Sequence, residues 1–289
     1  MRRLRVTIVL VFVLSVIAFI AYNVMARMVE DHTPPVITCD SDTVTVSVED
    51  DDSALLQGMT AEDNRDGDLT DSIRVSSMSN FTEPGKRTAN YAVFDSSNQV
   101  ATYSRTVEYT DYTSPQIHLS EPLRFGLEEM EDINLAENMT VQDCLDGDIS
   151  SQIRATFSDN AYISQAGNYE VTVQVSNSAG DTCSVPLTVT VTDSSDDEEM
   201  DKYYPVLSQY IVYTNVGKSV DLNSLVIGLE RNGSEYLFKD DNSFLPGERG
   251  DVQVSGSVDY KTAGTYTVDY TFTTEDDVSA TTKLAVVVR

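Results

Sequence analysis

Gly167-Asn168-Tyr169-Glu170-Val171-Thr172-Val173-Gln174-Val175 places an apolar side chain at every second position from Tyr169 onward. Neighbouring side chains on a β-strand point to opposite faces, so this spacing predicts a strand with one buried and one wetted face. The same reading applies to Val44, Val46 and Val48, to Leu187, Val189 and Val191, and to Tyr266, Val268, Tyr270 and Phe272. Turn signals separate the runs at Pro84-Gly85, Ala179-Gly180 and Pro246-Gly247. Beyond residue 25 no segment carries a helical 3.6 period. Short alternating strands divided by turns predict two-sheet sandwiches.

Outward from that strand the chain repeats itself. Ala61-Glu62-Asp63-Asn64-Arg65-Asp66-Gly67-Asp68-Leu69-Thr70-Asp71-Ser72-Ile73 returns as Val141-Gln142-Asp143-Cys144-Leu145-Asp146-Gly147-Asp148-Ile149-Ser150-Ser151-Gln152-Ile153, an offset of 80 residues. Pro35-Val36-Ile37 returns as Pro115-Gln116-Ile117 at the same offset. Further on the offset becomes 82, which matches Gly85 to Gly167, Asp95 to Asn177, Val107 to Val189 and Asp111 to Asp193. A fixed period of this size marks tandem modules. A third, diverged module opens at Tyr204-Pro205 and contains Gly264-Thr265-Tyr266-Thr267-Val268, but it lacks the Asp-Gly-Asp motif. The expected modules are 34–111, 112–192 and 203–289. An acidic linker, 193–202, separates the last two. Its composition predicts slack at that joint, and a stiffer joint near 112.

The first thirty residues differ from the rest. Val6 to Met25 contains no charge, and about 20 apolar residues at ~1.5 Å rise span a hydrocarbon core of about 30 Å. Arg2, Arg3 and Arg5 precede the run, and Glu30 and Asp31 follow it. Positive charge stays cytoplasmic, so 1–5 is expected inside, 6–25 as a transmembrane signal-anchor helix, 26–33 as a juxtamembrane linker and the body outside. A cleaved signal peptide is the competing reading; the run is long for one, and Asn23-Val24-Met25-Ala26-Arg27 is a poor cleavage site.

Charge supports that division. The chain holds 19 Lys+Arg against 47 Asp+Glu, a net charge of −28. Residues 1–30 carry four Arg and one acid, so the remaining residues carry −31. An acidic body lacks the basic footprint that phosphate backbones require, which excludes nucleic acid as a partner. Two His and no Trp leave little material for a His-rich metal site or for stacking on sugars.

Pro-Pro-Val-Ile at 34–37, Asp-Gly-Asp-Leu-Thr at 66–70, Gly-x-Tyr at 167–169 and Asp-Ser-Ser-Asn at 95–98 together resemble the bacterial immunoglobulin-like domain first described in a pesticidal crystal toxin. Hyalin-repeat and cadherin-like modules are close in style. The resemblance covers 34–193 well and 203–289 in part. It implies an all-β chain of three tandem immunoglobulin-like sandwiches after one transmembrane helix. It also implies a stalk, spacer or adhesive module on a bacterial surface, without catalysis of its own. Arg87 departs from the pattern, because modules two and three have Tyr169 and Tyr266 there.

Candidate chemistry is sparse. Asp63, Asp66 and Asp68, and Asp143, Asp146 and Asp148, group hard oxygen ligands at a density that suits Ca²⁺. Asp111 and Asp193 would complete junction sites of the cadherin-like kind. The same residues also read as a tight Asp-Gly turn whose flanking carboxylates accept backbone N–H groups. Cys144 and Cys183 are both absent from the matching positions of module one, Asn64 and Ala101, as a disulfide would require. Two free thiols are the rival, and Cys39 stands alone in module one. Three Asn-x-Ser/Thr triplets, at Asn80, Asn138 and Asn232, read as chance in a bacterial chain.

The expectation is therefore a non-enzymatic, single-pass surface stalk or adhesion protein at the plasma membrane. The expected partners are the membrane itself and an envelope or extracellular protein or glycan. A receptor-like or envelope-assembly subunit acting through module three is the alternative. A carboxylate-dependent glycan hydrolase is the weakest reading, since a stalk sandwich lacks a deep cleft.

Overall fold

The alternation at 169–175 becomes a strand in the computed structural model, with Val171, Val173 and Val175 each at most 1% exposed. The structure describes residues 2–29, 31–131, 133–158, 163–193, 195, 198–239 and 245–289. Position 30 of the juxtamembrane stretch and positions 194, 196 and 197 of the acidic linker lie outside the described residues.

Helix α1 spans Arg2–Val29. Its Leu4–Met25 portion is long and apolar enough to cross a membrane, and none of that window is buried against protein. The polar side chains within it are satisfied locally: the Ser15 hydroxyl donates to the Phe12 carbonyl at 2.8 Å, and the Asn23 amide donates to the Phe19 carbonyl at 2.8 Å. Such satisfaction is what a hydrocarbon environment demands of a polar group. The same apolar helix would serve equally as a signal sequence.

The first sandwich comprises β1 (Val36–Cys39), β2 (Thr43–Val46), β3 (Met59–Asp63), β4 (Gly67–Asp68), β5 (Arg74–Met78), β6 (Lys86–Phe94) and β7 (Val100–Tyr109). One sheet has the order β1-β3-β4 and the other β2-β7-β6-β5. Strand β2 runs parallel to β7 while β1 pairs antiparallel with β3, so the opening of the module switches sheets between two short strands. Val44, Val46, Tyr91, Val93 and Val107 fill the core. Strand β2 stops at Val46, and Val48 sits half-buried in the following turn, because Asp111 intervenes. Its carboxylate accepts from the Ser47 hydroxyl at 2.6 Å and from the Val48 N–H at 2.9 Å.

The second sandwich repeats this plan with β8 (Gln116–Leu119), β9 (Arg124–Gly126), β10 (Met139–Asp143), β11 (Gly147–Asp148), β12 (Arg154–Phe157), β13 (Gly167–Ser176) and β14 (Thr182–Thr192). Its sheets are β11-β10-β8 and β12-β13-β14-β9, with β9 parallel to β14. The third uses β15 (Tyr204–Leu207), β16 (Ile211–Thr214), β17 (Val226–Arg231), β18 (Ser234–Leu237), β19 (Gln253–Ser255), β20 (Gly264–Thr273) and β21 (Ser279–Val288). Its sheets are β15-β17-β18 and β16-β21-β20-β19. Here an Asn232-Gly233 hairpin, positive in φ at both residues, takes the place of the Asp-Gly-Asp turn. That is the backbone a two-residue hairpin needs, and it gives the Asn232 triplet a structural meaning.

The chain falls into two compact units, Met1–Tyr112 and Thr113–Arg289. The slack expected between modules two and three is therefore not found. Their buried residues form one continuous core, with β14 against β21 and β8 against β16. The end of the expected linker is fastened as well. Arg231 donates to the Met200 carbonyl at 2.9 Å and to Asp201 Oδ1 at 2.7 Å, and Lys202 Nζ lies 2.9 Å from Glu199 Oε2.

Candidate interaction site

The Asp-Gly-Asp turns are built alike in both modules. Gly67 and Gly147 have φ of +75° and +71°, the left-handed backbone that favours glycine. Oδ1 of Asp63 accepts from the N–H groups of Arg65 and Asp66, and Asp143 Oδ1 accepts from Leu145 and Asp146. Asp66 reaches across the module to accept from the Ser96 N–H at 2.7 Å and hydroxyl at 2.8 Å. Asp146 does the same for Ser178, at 2.6 Å in both bonds. Asp68 and Asp148 accept from the N–H groups of Thr70 and Ser150. These carboxylates clamp the turn onto the following hairpin.

The six aspartates do not converge as two cation sites. Of the six, only Asp63 belongs to a carboxylate cluster among the described residues, and its companions there are Asp31 and Asp95. Asp66 and Asp68 face loop amides instead, as do Asp146 and Asp148. Asp193 likewise accepts from the Ser195 N–H and hydroxyl.

Hydrogen bonds hold several of these carboxyls below their ordinary value. For Asp63 the cause is the Asp66 and Arg65 amides; for Asp68 and Asp148 it is the Thr70 and Ser150 hydroxyls; for Asp111 it is Ser47. A carboxyl lowered by folding stabilises the native state above its unfolded value of about 3.9, and that stability is lost as pH falls through the lowered value. The melting temperature should hold between about pH 7 and 5 and fall below about pH 4. Scanning calorimetry against pH checks this, and a melting temperature rising below pH 4 would contradict it.

The structure does not form the Cys144–Cys183 disulfide; all three cysteines are free in it, as in the rival reading. The two thiols meet different groups. Cys144 Sγ lies 3.3 Å from the Thr113 carbonyl, at the turn, and Cys183 Sγ lies 3.5 Å from the Tyr213 hydroxyl, on β14. Cys39 is half-buried and accepts from Arg105 Nη1 at 3.1 Å.

Arg87 replaces a tyrosine corner with a cation–aromatic cluster. The Tyr169 and Tyr266 hydroxyls each donate to a carbonyl four residues upstream, Gln165 and Thr262. The Arg87 guanidinium instead lies 5.7 Å and 5.2 Å from the Phe81 and Tyr109 ring centres, and it donates to the Tyr109 hydroxyl.

One recess is built by the second unit. A cleft of about 660 Å³ opens where the second and third sandwiches meet, lined by Glu121, Arg124, Glu199, Tyr204, Glu230 and Glu235 among others. Arg124 lies over the Tyr204 ring, 3.7 Å from its centre, and is ion-paired with Glu230. The two side chains are 19% and 13% exposed, so the pair is largely withdrawn from water. The Tyr204 hydroxyl donates to Glu199 at 2.6 Å, and burial, reinforced by Glu199, pushes the phenol above its ordinary value. Both withdrawn acids of the cleft are thus engaged, Glu230 by Arg124 and Glu199 by Tyr204 and Lys202. At the floor of the junction, the Tyr213 hydroxyl accepts from the Ile117 N–H at 2.9 Å and donates to the Ile117 carbonyl at 3.2 Å. One phenol therefore satisfies both outward backbone groups of a residue on the edge strand β8. The sequence marked Tyr204 and Ile117 only as module openings and did not bring these residues together, because contacts such as Tyr213 to Ile117 join positions 96 residues apart.

Residues 41–109 match the family model for the bacterial surface protein Ig-like domain, and residues 234–286 match that for the bacterial Ig-like domain of group 3. No match was found among curated proteins. Among solved structures, similarity is found to the M60 catalytic domain with its CBM51-1 and CBM51-2 domains from Clostridium perfringens ZmpB, at 14% identity, TM-score 0.21 and coverage of 88% of this chain and 30% of that one. It is also found to the protocadherin GammaB4 extracellular domain, at 14% identity, TM-score 0.21 and coverage of 89% and 49%. Drosophila N-cadherin EC1-4 matches at 15% identity, TM-score 0.22 and coverage of 80% and 63%. The chain spans less than two thirds of each of these chains. Its strand pattern, repeated sheet order and two matched segments identify tandem bacterial immunoglobulin-like domains.

Proposed function

We propose that the chain is a non-enzymatic, membrane-tethered surface protein whose sandwiches stand outside the plasma membrane as an interaction stalk. The observation that carries this reading is the join between one apolar helix, unburied over Leu4–Met25, and a strongly acidic series of immunoglobulin-like sandwiches. The positive-inside rule orients it with residues 1–5 in the cytoplasm. A net charge far from zero keeps the body soluble and repels anionic polymers.

The cleft favours a second reading, a receptor-like or envelope-assembly subunit that engages a protein or glycan at the junction of the second and third sandwiches. Concave sites with a few convergent polar groups are the usual places for ligands. The test uses the detergent-solubilised full chain against arrays of glycans and envelope proteins. Glu128→Lys with Glu235→Lys, both on the exposed cleft wall, should abolish capture of any ligand held there. Capture unchanged by the pair moves the interaction surface away from the cleft and leaves the stalk reading.

A further inference from the structure

Asp31, Asp63 and Asp95 bring carboxylate oxygens within 4.8 Å of one another. They come from three separate places: the segment after α1, the end of β3, and the turn between β6 and β7. Asp63 and Asp95 are each only 7% exposed, and Asp31 is half-buried. In each residue one oxygen is committed to the protein. Asp31 Oδ1 accepts from the Thr33 N–H, Asp63 Oδ1 from Arg65 and Asp66, and Asp95 Oδ1 from Ser97 and Gln99. The other oxygen of all three, Oδ2, is buried without a hydrogen-bond partner.

Three buried carboxylate oxygens without donors, facing one another, are costly unless a cation sits among them. The spacing fits one. Two oxygens each about 2.4 Å from a Ca²⁺ ion can lie up to ~4.8 Å apart. Arg65 contributes a positive charge that lowers the Asp63 carboxyl, against three negative charges in the cluster.

The second sandwich supplies an internal control. Asn177 stands at the position of Asp95, and its Nδ2 donates to Asp143 Oδ2 at 3.2 Å. An amide there provides the proton donor that the first sandwich lacks. Asp111, which aligns with Asp31 at the offset of 80 residues, is already engaged by Ser47 and Val48. One module has thus settled the buried aspartate with an amide, and the other has kept three acids.

We infer that Asp31, Asp63 and Asp95 form a calcium-class divalent-cation site at the start of the first sandwich, completed by water to the six to eight oxygens such an ion takes. The site would fasten the segment following α1 to two turns of the sandwich. That segment is already held by Gln99 Nε2, which donates to the Asp31 carbonyl at 2.8 Å, and by Asn64 Nδ2, which donates to Thr33 Oγ1 at 3.2 Å. On the membrane-tether reading, the ion stiffens the stalk where it leaves the bilayer; the ion site itself does not depend on that reading.

Titration calorimetry of the full chain in detergent with calcium chloride tests the site. One ion per chain is expected, with a melting temperature raised by about 5 °C or more at saturation. Asp95→Asn, which copies the amide of the second sandwich, should lose the ion and melt in chelator at or above the temperature of the unsubstituted chain. Asp31→Asn lies outside the core and should weaken binding at least tenfold. Asp146→Ala should keep one ion. The site is overturned if the unsubstituted chain neither binds nor shifts in 10 mM calcium, if Asp31→Asn binds unchanged, or if Asp146→Ala removes the ion.

Discussion

Arg124→Ala should destabilise the 113–289 unit by about 3–5 kcal/mol, the usual cost of removing one partner from a buried ion pair. The guanidinium does three things at once. It neutralises Glu230, covers the Tyr204 ring, and sits on β9 where the second sandwich faces the third. Without it the Glu230 carboxylate stays withdrawn from water with no cation beside it. Calorimetry should show a lower melting temperature and, because the two sandwiches share one core, loss of a single cooperative transition for this unit. Tyr213→Phe, which removes the partner of the Ile117 N–H and carbonyl and the hydroxyl beside Cys183 Sγ, should cost less, about 2 kcal/mol. Equal and small effects of both would mean that the sandwiches are joined by apolar packing alone.

The second large effect is expected at Arg105. This arginine is 4% exposed on β7. Its Nη1 donates to the Gln57 carbonyl at 2.9 Å, its Nη2 donates to the Leu55 carbonyl, and its Nε donates to the Tyr91 hydroxyl at 3.2 Å. It also stacks against the Tyr91 ring, 5.4 Å from its centre. Arg105→Ala leaves the Gln57 carbonyl without its donor, strips the Leu55 carbonyl of one of its two donors (the Tyr91 hydroxyl is the other) and empties a core position, which should cost about 3–5 kcal/mol. Position 105 aligns with Leu187, which is buried in the second sandwich. Arg105→Leu keeps most of the volume and should therefore recover part of the loss. Urea unfolding monitored on the first unit measures both variants, and a leucine variant less stable than the alanine one would contradict the packing argument.

The sandwiches were legible because their signals are local. Val171, Val173 and Val175 alternate in plain view, and Asp66-Gly67-Asp68 announces a turn that needs a left-handed glycine. The sheet-switching opening of each module was not legible, since β2 finds its parallel partner β7 about sixty residues away. The docking of the second and third sandwiches was hidden for the same reason. Acidic residues 193–202 read as a solvated spacer, yet Glu199 and Asp201 are bound by Tyr204 and Arg231, whose positions only the fold reveals. The six aspartates of the two turns drew the eye to calcium by density. All six accept hydrogen bonds, and among the described residues Asp63 alone also meets two carboxylates outside the motif. A trace of the pairing was present: Asp95 aligns with Asn177, an acid exchanged for an amide.

The central claim is a body held outside the membrane by its own N-terminal helix, and topology mapping addresses it directly. With a tag at each end, intact expressing cells exposed to an impermeant protease should lose the C-terminal tag and keep the N-terminal one. The full-length chain should remain in the membrane through alkaline extraction. A mature chain beginning after residue 25 and released into the medium, or a C-terminal tag protected from protease until the cells are lysed, would contradict the account.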